Sequence, residues 1–186
     1  MLKYKLDNSG ILAFVAGVLL IIVSNIFFSG ILNGTAKSVV YDGIVCIFAT
    51  LYGPITGILT GFLGVVCGDA VCAKEIIFGD AIVFGLLGFL IGLFSDKYGI
   101  REGEFTGIKV AIWNTIYAMS VLATLFFVKP FLSLIMYNHD IFASLKNAGL
   151  VVIICIVPVG IIMTALFCVM SSISRKAKNK KSAALS

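Results

Sequence analysis

The chain is 186 residues long, 60% hydrophobic and only 12% charged, with a formal net charge of +5 and a mean hydropathy of +1.12. That composition excludes a soluble globular domain and points to an all-α integral membrane protein, with room for a compact bundle of roughly six spans at about 20 residues each and none for a separate soluble domain. Five of the fourteen basic residues lie in the tail Arg175–Lys181, the pattern of an anchored cytoplasmic end and not of a nucleic-acid surface.

The first nine residues are polar and carry Lys3 and Lys5; an apolar run over 10–28 predicts the first span. Gly10, Ala13, Gly17 and Ser24 share one side of it, which prepares this helix for close contact with another. A turn-rich connector containing Asn33 leads to a short second span over 39–51, interrupted near its start by Asp42. The pair Gly53-Pro54 then forms a hinge with almost no loop, predicting a hairpin, and Pro54 suits the first turn of a helix because no amide hydrogen is needed there.

The third span, 54–68, carries Gly57, Gly61, Gly64 and Gly68, which with Gly53 line one helical face. A face without side chains lets two helix backbones touch. Asp69 follows, and marks either the water boundary or a functional group, since ionisable residues at membrane depth are usually functional. After Lys74 and Glu75, the fourth span over 76–94 repeats the small-residue device at Gly85, Gly88 and Gly92. Helices 3 and 4 are therefore expected to pack on each other through glycine.

A charged loop precedes the fifth span, 106–128, which holds Trp113, Asn114, Tyr117, Ser120 and Thr124. A polar stripe on a membrane helix must face protein or a cavity. Trp113 is either a packing aromatic or a stacking platform, and a buried Asn114 without a partner would cost about 1–3 kcal/mol, so it needs another helix or a ligand. The longest connector, 129–146, includes Tyr137, Asn138, His139 and Asp140 and is expected to lie along the interface or fold over the bundle. His139 reads either as an exposed loop residue or as a ligand contact. The sixth span, 147–170, should kink at Pro158. Residues 1–174 thus read as one six-helix membrane domain and 175–186 as a basic cytoplasmic tail.

Orientation follows from the basic residues. With both termini cytoplasmic, the inside segments hold ten (Lys3, Lys5, Lys97, Arg101, Lys109 and the five of the tail) and the outside connectors four (Lys37, Lys74, Lys129 and Lys146), as the positive-inside rule requires. There is no G-x-x-x-x-G-K-[ST] loop, H-E-x-x-H or G-x-S-x-G motif, and the five cysteines lack ligand spacing, so no metal or cofactor is expected.

The hairpin Ala49-Thr-Leu-Tyr-Gly-Pro-Ile-Thr-Gly57, the continuation Gly61-Phe-Leu-Gly64, the exit Gly68-Asp69 and the triplet Ile112-Trp-Asn114 together resemble the substrate-binding S components of energy-coupling factor (ECF) transporters, nearest to the riboflavin-transporter-like branch. The resemblance covers roughly residues 10–173. It implies a subunit of the prokaryotic plasma membrane that binds a vitamin or related small nutrient at the outer face and works with a transmembrane coupling subunit and two ABC ATPases. It implies a pocket drawn from Asn33, Asp69, Lys74, Glu75, Trp113, Asn114, Tyr117, Tyr137, Asn138 and His139, and a contact of Ala13 and Gly17 with the coupling subunit. No motif fixes the ligand: riboflavin, a thiamine precursor, cobalamin and sulfur-containing amino-acid precursors all stay open. The alternative from a different class is a small membrane enzyme or accessory subunit using Asp69, Glu75 and Asp80 on a lipid-linked or metal-dependent substrate.

Overall fold

The computed structural model describes residues 8–28, 34–72, 77–138 and 140–183. Every regular element among them is helical: α1 (Asn8–Phe28), α2 (Gly34–Tyr52), α3 (Pro54–Val71), α4 (Phe78–Gly92), the single turn α5 (Ser95–Tyr98), α6 (Ile108–Val121), α7 (Lys129–Tyr137), α8 (Ile141–Ile154) and α9 (Gly160–Ala183). Four stretches are long and apolar enough to cross a membrane, Asn8–Phe27, Pro54–Val71, Ile108–Tyr137 and Ile141–Asn179, and α4 is a shorter apolar helix.

Gly53 alone separates α2 from α3. Its φ of 91° and ψ of −176° lie where only glycine is at ease, and the extended ψ is what a following proline demands. The hairpin is therefore written into two residues.

α3 is the centre of the bundle and packs on α1, α2 and α4. Its glycines do not act as one face. A Cβ on Gly57 or Gly61 would fall on the backbone of α4 at Gly88 or Phe84, whereas one on Gly64 or Gly68 would strike Ile21 or Asn25 of α1. The stripe is shared because α4 takes one end of it and α1 crosses the other. In lipid, such backbone contact gains dispersion energy that no apolar transfer term supplies.

The small face of α1 is turned into this same bundle. Ala13 is buried, Gly10 lies against Thr56, and a Cβ at Gly17 would meet Thr60 and Phe48. Ala13 and Gly17, the residues expected at a partner contact, thus lie on the side of α1 that packs on the chain's own α2 and α3. The opposite side of α1, with Leu12, Leu19, Leu20 and Phe27, is exposed.

The second half departs further from the predicted boundaries. The residues expected as a connector after Val128 continue as helix, so Ile108–Tyr137 is unbroken, and Leu122–Val128 within it is π-helical. Cys155–Val159, between α8 and α9, is π-helical as well. Each wide turn lies at or just before a proline, Pro130 or Pro158, whose missing N–H removes an ordinary helical bond and lets the ladder slip by one residue. At Pro158, where a kink is expected, the helix widens. Helix α9 runs on to Ala183, so the basic tail continues the last helix.

At the other end of α6, the loop after α5 is tied to α9: the Phe105 N–H donates to Ser171 Oγ at 3.0 Å. The Phe105 ring stands edge-on to Trp113 and Phe167.

Candidate functional site

The polar stripe of α6 faces protein. Trp113 is fully buried; its Nε1–H donates to Thr50 Oγ1 at 3.2 Å, and its ring stacks on Tyr117 with centroids 5.1 Å apart and planes 6° from parallel. Tyr117 Oη lies 2.5 Å from Asp42 Oδ2 and 2.9 Å from the Cys155 carbonyl. Asp42 Oδ2 and Tyr117 are thereby joined, with the Cys155 carbonyl of the π-helical turn as a third member, while the buried Asp42 Oδ1 has no hydrogen-bond partner among the described residues. Asn114 donates to the Val110 carbonyl at 2.9 Å and accepts from Thr164 Oγ1 at 3.1 Å, so its partner is α9. Trp113, Asn114 and Tyr117, expected as pocket residues, bind helices to one another in the core.

Asp69 is also spoken for. Its side chain is 2% exposed and pairs with Lys37 at 2.5 Å. Tyr41 Oη, which accepts from Asn25 at 2.6 Å, lies 3.5 Å from the same carboxylate. This joins α1, α2 and α3 where the chain enters α2 and leaves α3. Asn138 takes φ 52° as it ends α7, a left-handed cap that asparagine tolerates better than most residues. Tyr137 Oη accepts from the Gly79 N–H at 3.4 Å, tying the top of α7 to the start of α4. Asn33, Lys74, Glu75 and His139 lie outside the described residues.

The cavity of interest opens near these last contacts, between the first turns of α2 and α4, the junction with α7, and α8. Its volume is about 380 Å³, within the range of about 300–1,000 Å³ typical of small-molecule sites. Its polar wall consists of Ser38, Asp80, Lys129, Ser133, Ser144 and Asn147. Lys129 Nζ lies 3.0 Å from Asp80 Oδ1 and donates to Ser38 Oγ at 3.3 Å. Leu125, Pro130, Ala148 and Val151 supply the apolar wall. One turn beyond Ser38 along α2 is Asp42, and one turn beyond Val151, in the π-helical turn that follows α8, is Cys155, whose carbonyl lies against Tyr117 of α6.

None of these polar wall residues was among the expected pocket residues, although Asp80 stood out among the acidic groups following helix 3. The signal for the rest was present as helical spacing. Lys129 and Ser133 are four apart, and Ser144, Asn147, Ala148 and Val151 recur at three, one and three, which puts each set on one helix face. Reading 129–146 as a connector hid that periodicity.

Similarity to known proteins is confined to part of the chain. A UPF0397 protein of Streptococcus thermophilus is 27% identical over 114 residues, 61% of this chain and 63% of that protein. A UPF0397 protein of Lactobacillus gasseri is 25% identical over 111 residues, covering 60% and 59%, and one of Lactobacillus delbrueckii subsp. bulgaricus is 32% identical over 92 residues, covering 50% and 48%. The chain thus spans about three-fifths of the length of the first two relatives. No protein-family model matches the chain, and no solved structure does.

Proposed function

We propose that this chain is the substrate-specificity subunit of an ECF-type importer, a plasma-membrane protein that holds a small nutrient in the cavity between α2, α4, α7 and α8 and delivers it with a coupling subunit and two ABC ATPases. The observation that carries this reading is the cavity itself: a polar, charged hollow of about 380 Å³ at one end of the bundle. A purely structural subunit has no use for such a hollow, whereas an open pocket with a few convergent polar groups and an apolar wall is what holds and orients a small molecule. The hairpin and glycine motifs that resemble the ECF family support the same reading. In this proposal α1, α2, α3, α4, α6 and α8–α9 make six crossings, both termini lie inside, and the cavity faces out, where the scarcity of basic residues puts it. With the small face of α1 filled by α3, the coupling subunit meets another face of the bundle.

The enzyme reading draws less support. Asp69 and Asp80, two of its three carboxylates, are each engaged by a different lysine, Lys37 and Lys129, and a paired acid and base needs two groups converging on one substrate.

Native mass spectrometry of the chain purified in mild detergent from rich-medium expression, followed by extraction of what it retains, tests the proposal. A stoichiometric small nutrient is expected. A bound divalent metal or lipid-linked intermediate in its place overturns the binding-subunit reading in favour of the enzyme.

A further inference from the structure

The wall of the cavity carries one positive and one negative group in direct contact. Lys129 and Asp80 are 3.0 Å apart, with side chains 29% and 25% exposed, so the site is neutral as a whole but locally polarised. We propose that it selects a zwitterion: a compact, non-aromatic molecule with one carboxylate and one cationic nitrogen. The inference rests on the binding-subunit reading and specifies the substrate class of that site.

Charge balance in a medium of low dielectric decides which ligand fits. A ligand with a single net charge meets one attractive and one repulsive partner, and its lost hydration is poorly repaid. A zwitterion inserts between the two. Its carboxylate takes Lys129 and its cationic nitrogen takes Asp80, so one ion pair becomes two while the total charge stays zero. Ser38 already bonds Lys129 at 3.3 Å and holds that ammonium in place as the pair opens. Ser144 and Asn147 add polar groups to the lining, and the apolar wall of Leu125, Pro130, Ala148 and Val151 accommodates an aliphatic body. No aromatic ring stands among the described lining residues, so a flat heterocycle finds no stacking partner there. The sequence's one tryptophan is instead fully buried against Tyr117 and Phe167.

The test measures thermal stabilisation and equilibrium binding of the full chain in detergent with three sets of probes. The zwitterions are the common amino acids with uncharged, non-aromatic side chains, glycine betaine and carnitine; the singly charged probes are hexylamine and hexanoate; the aromatic vitamins are riboflavin and thiamine. At least one zwitterion is expected to stabilise the protein more than any probe of the other sets. Asp80→Asn and Lys129→Gln should each weaken that zwitterion about tenfold or more and move preference in opposite directions, the first toward hexanoate and the second toward hexylamine. A merely structural role for the pair moves stability but produces no such reversal. Should a single variant fail to fold, the double variant Asp80→Asn with Lys129→Gln leaves no unpaired charge, and zwitterion binding at wild-type affinity by it overturns the proposal. Best binding by riboflavin, thiamine or a singly charged probe overturns the zwitterion inference and leaves the binding-subunit reading standing; a nutrient retained from the host is judged by the same charge rule. No binding by any probe, with nothing retained from the host, overturns both.

Discussion

Thr50 shows how much one hydroxyl carries when it sits in a membrane core. Its Oγ1 accepts the Trp113 indole N–H at 3.2 Å from a side chain with no exposure at all. Thr50→Val keeps the shape and removes the acceptor, so it is expected to destabilise the chain by about 1–3 kcal/mol, the cost of an orphaned buried donor, read as a lower thermal midpoint in detergent. The sequence left Trp113 open between packing and ligand stacking, and required a partner for Asn114 without naming it. Both questions turned on residues in distant helices, Thr50 and Thr164. A second residue-scale expectation concerns pH. Glu104, in the loop before α6, lies 2.6 Å from Lys109, and that ammonium, by hydrogen bond and by charge, holds its carboxyl below the usual glutamate range. A depressed folded value means that the contact is fully present above the ordinary glutamate pKa of about 4.3 and is lost as pH falls through the lower folded value. An NMR titration of Glu104 should show its midpoint below that of a free glutamate, rising toward it in Lys109→Gln.

At the scale of elements, the contact between α3 and α4 is set by what is missing. A methyl group at Gly61 meets the Phe84 carbonyl, and a backbone atom cannot swing aside as a side chain can. Gly61→Ala is therefore expected to force the helices apart and cost about 1–3 kcal/mol or more. Gly149→Ala, in α8, is the matched control: nothing lies within 4 Å of its new methyl group, so the gain in helix propensity of about 0.5–1 kcal/mol should appear as a small stabilisation. Thermal unfolding of the two variants side by side checks both signs. The glycine spacing made a close helix contact legible from the sequence. It did not reveal that α1 and α4 divide the stripe, because spacing records which side of a helix is bare and not how many neighbours cross it. The two π-helical turns were half legible: Pro158 announced an irregularity but not that the ladder would widen, with the Cys155 carbonyl accepting both from the Gly160 N–H and from Tyr117 Oη.

For the molecule as a whole, the proposed orientation has a direct check. In a chain whose five native cysteines are replaced, a cysteine introduced at Asp140, in the turn between α7 and α8, should react with a membrane-impermeant maleimide on intact cells. One at Lys178, on the exposed end of α9, should react only after permeabilisation. The reverse pattern would put the cavity inside and undo the importer proposal. What the sequence determined by itself is whatever follows from composition and from local backbone chemistry. Its apolar content requires a membrane, and a membrane without water to satisfy backbone polar groups requires helices. Gly53-Pro54 dictates the hairpin, because only glycine takes that φ and proline enforces the extended ψ before it. The tertiary structure alone decided which polar groups meet. Tyr117 meets Asp42, Asp69 meets Lys37, and the cavity between α2, α4, α7 and α8 is lined by Lys129, Asp80 and the hydroxyls around them. The reason is that periodicity marks the side of a helix that must be buried, whereas a partner across the bundle is fixed by how the helices cross.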